Sequence, residues 1–405
     1  MIKIAILGFG TVGSGVYELI KNNKDIVAKN AGIEIETKYI LDIRDFSNHE
    51  DAHLFVKDYD VILNDAEVSV VVETIGGLEP AFTFTKKALE KGKHVVTSNK
   101  ELVATKGNEL IDLAVSNNAK YVFEASVGGG IPIIRPLFHC YVSSPVKSIC
   151  GILNGTTNYI LTEMFKNGQT FEKALLCAQQ NGYAERDPSA DVDGHDTCKK
   201  ICILSSIISG QSVDFHNVYT EGITKISLED TKYASSLKSS IKLIGECKVM
   251  ADGKMEVHVA PMLVGKDKML ASIEDVYNGV VVNGGETGDT LSYGRGAGKL
   301  PTASAVVADV VELANNRTVP YIRPWVASKE NLVVNHDEYV RNYFVRIKSD
   351  NIDKCEIGKI VDVKQYIQIF DGEIGLVTEE ISYKALCDKL SGIPGQVLNV
   401  IEVMK

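Results

Sequence analysis

Ile2-Lys3-Ile4-Ala5-Ile6-Leu7, followed without a break by Gly8-Phe9-Gly10-Thr11-Val12-Gly13, is the stretch whose reading decides the fold. Six largely apolar residues have the length of a buried strand. Val16, Leu19 and Ile20 then continue with helical spacing. Glycines in the pattern GxGxxG, set between a strand and a helix, suit a dinucleotide. The first makes the tight turn, the second lets backbone amides approach a pyrophosphate, and the third lets helix and strand pack closely. The phosphates would then meet the helix N-terminus.

Outward from this turn, strand-like runs at 35–41, 68–75, 94–98 and 120–125 alternate with helical patterns at about 80–91 and 101–116. Alternation of that kind predicts an α/β fold with a doubly wound parallel sheet of Rossmann type, its ligand at the carboxyl ends of the strands. Glu73-Thr74-Ile75-Gly76-Gly77 and Thr97-Ser98-Asn99-Lys100 fall at such ends, either lining the cofactor cleft or serving only as turns. At the end of the second strand stands Asp42-Ile43-Arg44-Asp45. An acid there holds a ribose 2′-hydroxyl and an arginine accepts a 2′-phosphate, so the choice between NAD and NADP stays open.

Composition narrows the class. The chain has 405 residues, 45% of them apolar, enough for two or three domains with a sizeable core. Lys and Arg number 43 against 53 Asp and Glu, a net charge of −10 with no basic block, which argues against nucleic acid or an anionic membrane as partner. No apolar run approaches the roughly 20 residues of a bilayer span, and no signal peptide is read at the start. Eight cysteines without a CxxC pair read as reduced core thiols of a cytoplasmic protein.

The middle of the chain carries the reactive side chains. Glu124-Ala-Ser-Val127-Gly128-Gly129-Gly130-Ile131-Pro132 sets one carboxylate among freely turning carbonyls, an oxygen-only set that suits a hard cation or else a glycine hinge. Val146–Leu153 reads as a strand ending in Asn154-Gly155-Thr156-Thr157, where a second domain begins. Between Glu185 and Lys200 lie five carboxylates and three fixed cations, either a solvated loop or a polar pocket. Asp196 and Lys200, four apart, share one helix face. Asp191-x-Asp193-Gly resembles a calcium loop, but its twelfth position is Cys202 rather than Glu. Seven glycines between 279 and 298 mark backbone that turns repeatedly or approaches something closely, as a second cofactor-facing loop or a hinge.

Together these segments resemble the homoserine dehydrogenases over about residues 1–315: GFGTVGSG at the start, TSNKELVA at 97–104, EASVGGGIPII at 124–134, GILNGTTNYIL at 151–161, GYAERDPSADVDGHD at 182–196 and YGRGAGKLPTASAVVADV at 293–310. The resemblance implies reversible hydride transfer between L-homoserine and L-aspartate 4-semialdehyde with NAD(P). It implies Lys100 and Lys200 as the catalytic lysines, Lys200 as proton donor, and Glu185, Asp191 and Asp196 as substrate-binding carboxylates. Gly8, Phe9, Gly10, Thr11, Val12, Gly13, Arg44, Thr74, Lys100, Gly182 and Gly298 are the cofactor-binding candidates. Glu124 with the carbonyls of Val127, Gly129 and Ile131 matches a monovalent cation site, for Na or K.

It further implies a discontinuous dinucleotide-binding domain, 1–130 plus 300–316, and a substrate-binding and dimerisation domain over 131–299. A linker at 317–339 and a small C-terminal domain at 340–405 would follow, with a homodimer or homotetramer as the assembly. The tail shows strand patterns at 342–348, 364–370 and 396–403 with a helix at 383–391, an order compatible with a βαββαβ, ACT-like domain or with a packing element. Its first strand leads into Ser349-Asp350-Asn351-Ile352-Asp353 in place of the Asp-x-Pro-Gly turn usual in ACT domains. An aldehyde-oxidising semialdehyde dehydrogenase and a non-catalytic nucleotide sensor remain as alternatives. The first needs a nucleophilic cysteine, and Cys150 lies within the strand preceding the 154–157 loop.

Overall fold

The computed structural model describes residues 1–315, 325–327, 332–349 and 354–405. The chain divides into two compact units, one of Met1–Pro145, Cys202–Asp214 and Gly294–Lys329, the other of Val146–Ile201, Phe215–Tyr293 and Glu330–Lys405.

The first unit is built on six parallel strands: β1 (Ile2–Leu7), β2 (Ile35–Leu41), β3 (Phe55–Val56), β4 (Val68–Glu73), β5 (His94–Thr97) and β6 (Tyr121–Val122). Their order, β3-β2-β1-β4-β5-β6, reverses direction between β1 and β4, and such a switch point opens a ligand crevice at the strand ends. Ile4, Ala5, Ile6 and Leu7 of β1 are fully buried, as are Val71 and Val72 of β4, which is why these strands read as unbroken apolar runs. The helix Lys299–Ala314 packs on the helix Thr11–Asn22, where Gly15 leaves room for Ala303 and Lys299.

The second unit carries most of a mixed sheet with β7 (Ser148–Ile152), β8 (Tyr219–Thr220), β9 (Ser239–Val249), β10 (Met255–Gly265), β11 (Tyr277–Asn283), β12 (Asp289–Arg295), β13 (Val340–Lys348), β14 (Val363–Ile367), β15 (Glu373–Thr378), β16 (Ile381–Ser382) and β17 (Gln396–Val403). The main path runs β12-β11-β7-β9-β10-β17-β13-β15-β14, with β8 on β10 and β16 on β13. From β13 to β17 the elements follow the order strand, helix, two strands, helix, strand, with the brief β16 before the last helix. Their apolar faces bury Tyr343, Val345, Ile347, Ile374, Leu376 and Leu386 in one cluster.

Several expectations are modified by this architecture. The strand expected over 120–125 shrinks to Tyr121–Val122, because Glu124–Ser126 form a 3-10 turn that redirects the chain. Segments 131–145 and 202–214 group with the first unit, and 340–405 groups with the second, so the observed boundaries differ from those expected. Within the expected linker, Trp325 is buried against Phe123 and close over Gly107, whereas Val326 is exposed and bridges Gln211 through its backbone. Residues 316–324 and 328–331 of that linker, and 350–353 of the altered turn, lie outside the described residues. Cys140, Cys355 and Cys387 are exposed, against the expectation of core thiols.

Candidate active site

At the end of β1, Gly8 turns with φ +90° and the helix Thr11–Asn22 begins with Gly10 as its N-cap. Among the described residues, the N-cap Gly10 offers no side-chain cap, a setting in which the first amides of a helix suit an anion. A Cβ on Gly13 would lie 1.9 Å from the Gly8 carbonyl oxygen and 2.7 Å from Thr74 Oγ1, whereas a Cβ on Gly10 would meet nothing within 4 Å. The third glycine is thus required by helix-to-strand packing, and space is left open over the second. These features fit a dinucleotide pyrophosphate over the residues Gly8 to Gly13.

Around the turn the supports are specific. Thr74 donates its hydroxyl to the carbonyls of Leu7 and Gly8 at 3.0 and 2.9 Å and so braces the loop. Asp42 accepts the Phe9 amide at 2.7 Å and pairs with Arg44 through both carboxylate oxygens, at 2.9 and 2.8 Å. The Arg44 guanidinium holds the Asp42 carboxyl well below the usual carboxylate range. Arg44 itself is exposed and lies over the Phe46 ring. Next along the strand ends, buried Glu73 accepts Thr97 Oγ1 at 2.6 Å and the Ile75 amide at 2.8 Å. Burial pushes its carboxyl upward. Asn99 accepts the Leu102 amide as N-cap of the helix Lys100–Ser116 and donates to the Gly77 carbonyl at 2.7 Å, which sets Lys100 at the first turn of that helix.

Two glycine loops of this unit touch. A Cβ on Gly129 would fall 2.3 Å from the Gly296 carbonyl, and the Gly130 amide donates to Arg295 O at 3.1 Å. Close backbone approach therefore accounts for part of the glycine density at 279–298. Gly298, at φ +119°, is the N-cap of the helix Lys299–Ala314. Glu124 accepts the amides of Ile133, Ile134 and Arg135 at 2.7, 2.9 and 2.6 Å, so its carboxylate orients the helix Ile134–His139. Arg135 pairs in turn with Asp309, whose carboxyl burial raises to about 7.

In the second unit, β7 leads to Asn154, which caps the helix Gly155–Asn167 by accepting the Thr157 amide. The Asn154 amide group donates to Asp191 at 2.6 Å and to Asp196 at 2.9 Å. Lys200 is buried, 2.8 Å from Asp196 and 2.7 Å from the Leu153 carbonyl to which it donates. Asp191, Asp196 and Lys200 are thereby brought together around one asparagine. Asn154 was not singled out by sequence reasoning; its signal was its place between a strand and a helix start, where Asn is a preferred N-cap. Glu185 differs: it is exposed, and its backbone carbonyl accepts from Gln179 Nε2 at 3.0 Å. Gly182 turns at φ +74° with open space at its Cβ position. Cys150 is buried within β7, where burial pushes its thiol up to about 12, a poor setting for the nucleophile of an aldehyde-oxidising enzyme.

Comparison with known proteins assigns both segments to one family. The family profile for the homoserine dehydrogenase NAD binding domain matches residues 8–124, and that for homoserine dehydrogenase matches residues 132–311. A homoserine dehydrogenase from Neisseria gonorrhoeae is 37% identical over 397 residues, covering 96% of this chain and 88% of that protein. The crystal structure of a homoserine dehydrogenase from Thiobacillus denitrificans superposes with a TM-score of 0.93 at 33% identity, covering 100% of this chain and 98% of that one. A hyperthermophilic archaeal homoserine dehydrogenase solved in complex with NADPH gives a TM-score of 0.67 at 29% identity, covering 80% and 99%. With a parallel dinucleotide-binding sheet, an uncapped glycine turn and matches along almost its whole length, this chain belongs to the homoserine dehydrogenase family.

Proposed function

We propose that Lys200 is the general acid and base of the NAD(P)-dependent interconversion of L-homoserine and L-aspartate 4-semialdehyde. The observation that carries this reading is the setting of the ammonium. Two of its three hydrogens point to the Leu153 carbonyl and to Asp196, which leaves one for the substrate oxygen. During reduction the aldehyde oxygen gains charge and Lys200 hands it a proton; during oxidation Lys200 takes the proton from the homoserine hydroxyl. The bound nicotinamide supplies or accepts the hydride. Asp191 and Asp196, held in place by Asn154, receive the substrate ammonium, with the exposed Glu185 as the third substrate-binding carboxylate of this reading. Lys100, at the first turn of its helix, serves as the second lysine.

Cofactor binding follows the amides of Gly10 to Gly13, the Thr74-braced loop and the Asp42–Arg44 pair, with Gly182 and Gly298 facing the nicotinamide end. Arg44, with its guanidinium exposed, is the candidate contact of an NADP 2′-phosphate. Glu124 and the carbonyls of Val127, Gly129 and Ile131 form the monovalent cation site in this reading, an all-oxygen set whose carboxylate is fixed by three amides. Residues 1–130 with 300–316 act as the dinucleotide-binding domain, 131–299 as the substrate domain and 340–405 as an ACT-like domain. The strand order β17-β13-β15-β14 supports that last assignment. A homodimer or homotetramer in the cytoplasm is the expected form. Leu291 and Tyr293 exposed on the edge strand β12 support the assembly, and eight unbridged cysteines support the compartment. Among the described residues no helix is long and apolar enough to cross a membrane.

The test is a spectrophotometric assay in both directions with NAD and NADP separately, with and without Na or K. Homoserine oxidation should rise toward alkaline pH, because Lys200 must accept a proton in that direction. An oxidation rate flat from about pH 6 to 10 with chemistry rate-limiting would contradict the role given to Lys200.

A further inference from the structure

Away from the catalytic residues, the second unit gathers His258 on β10, His336 on the turn His336–Glu338 and Glu402 on β17. All three are buried, and one ligand atom from each lies within 4.8 Å of the others. His258 Nε2 is 3.0 Å from Glu402 Oε2. Among the described residues, the Nδ1 atoms of both histidines have no hydrogen-bond partner. His336 is clamped face to face on Tyr219, with ring centroids 3.7 Å apart.

Charge in this region is unbalanced. Arg341 pairs with Glu402 at 3.0 Å, with Glu246 at 3.2 Å and with Glu256 at 2.5 Å, so three carboxylates share one guanidinium. Among the described residues, the half-exposed Lys248, 3.8 Å from Glu256, adds a second cation. A bound dication with neutral imidazoles removes the excess negative charge.

We propose that His258, His336 and Glu402 bind one first-row transition dication, of which zinc is the type, as a staple joining β10, β17 and the turn ahead of β13. Two imidazoles and a carboxylate are a standard tetrahedral zinc set with its fourth position open. Ligand bonds of about 2.0–2.1 Å place tetrahedral donors about 3.3 Å apart. The His258–Glu402 pair already meets that spacing, and the His336 nitrogen closes a gap of at most about 1.5 Å. A cleft of about 720 Å³, lined by His216, Tyr219, Lys254, His336, Asp337 and Glu338, gives an entry path and room for a water ligand. Arg341 on Glu402 orients the carboxylate from outside the ligand set, as such partners do in metal sites.

The test uses the full chain, treated with chelator and titrated with cobalt(II) and zinc. One equivalent of cobalt should bind per chain with the visible bands of a tetrahedral nitrogen and oxygen site, and zinc should raise the Tm. In His336→Gln, which needs to keep the metal-free Tm of the parent to be read, affinity for either metal should fall at least tenfold and the Tm rise should vanish. Glu402→Gln provides a second readout of the same loss. Absence of stoichiometric binding in the unmodified chain, a near-ultraviolet cobalt–thiolate band, or undiminished binding in His336→Gln would each overturn the proposal.

Discussion

Replacing Gly10 with alanine adds one methyl group at a position where the protein leaves 4 Å of open space. The backbone there has φ −77°, which alanine adopts without strain, so the substitution should leave stability within about 0.5 kcal/mol. If the space is kept for a pyrophosphate, the methyl group pushes that anion off the amides of Thr11, Val12 and Gly13. A hydrogen bond to a charged group is worth about 1.5–3 kcal/mol, so loss of one corresponds to about 10- to 100-fold weaker dinucleotide binding. Gly13→Ala is the contrasting case. Its methyl group would have to gain about 1.5 Å from the Gly8 carbonyl to reach ordinary contact, an overpacking that typically costs 1–3 kcal/mol of stability, roughly. The assay is dinucleotide titration by fluorescence beside thermal melts of both variants. Unchanged dinucleotide affinity in Gly10→Ala would refute the assignment of phosphate to this turn. Equal Tm losses in both variants would refute the packing argument.

Three further outcomes follow from the same geometry. Asn154→Ala removes a helix cap, worth about 1 kcal/mol, and the donors that orient Asp191 and Asp196; the KM for homoserine should rise while dinucleotide affinity stays unchanged, and a reversal of that pattern would argue against a substrate site here. Arg44→Ala should lower the NADPH to NADH ratio of kcat/KM by about tenfold if Arg44 contacts the 2′-phosphate, and an unchanged ratio would remove it from that role. Asp309, raised to about 7 by burial, binds its proton more tightly in the folded chain than in the unfolded one, so its contribution to stability is full below about pH 4 and is lost as pH rises through about 7. The Tm difference between the parent and Asp309→Asn should therefore shift against the parent between about pH 5 and pH 8, and a flat or opposite trend would contradict the sign.

The dinucleotide half of the molecule was legible because its signals are local. A buried parallel strand is an apolar run, and the glycine turn follows it immediately, so Ile2–Leu7 and Ile35–Leu41 stand where their patterns put them. The carboxylate and lysine of the helix His195–Ser209 were legible for a related reason: four-residue spacing dictates a shared face, and Asp196 and Lys200 do pair. Long-range partnerships were not legible. Nothing local in Asn154 shows that its amide reaches Asp191 and Asp196, and nothing in Glu124 shows that it caps residues 133–135. His258, His336 and Glu402 come together only because β10 and β17 are neighbours in one sheet. The long strands β9 and β10 escaped for a different reason. Met255–Val264 is buried throughout although it carries Glu256, His258 and Pro261, and a proline within such a run argues against a central strand.

The most direct measurement is the turnover of Lys200→Ala with its dinucleotide affinity measured beside it. General acid–base catalysis contributes about 10²- to 10⁴-fold, so kcat should fall by that order in both directions while dinucleotide affinity remains near that of the parent; the Tm should fall, because Asp196 is left buried without its cation. A variant that keeps near-parental kcat with homoserine would show that the proton moves through another group.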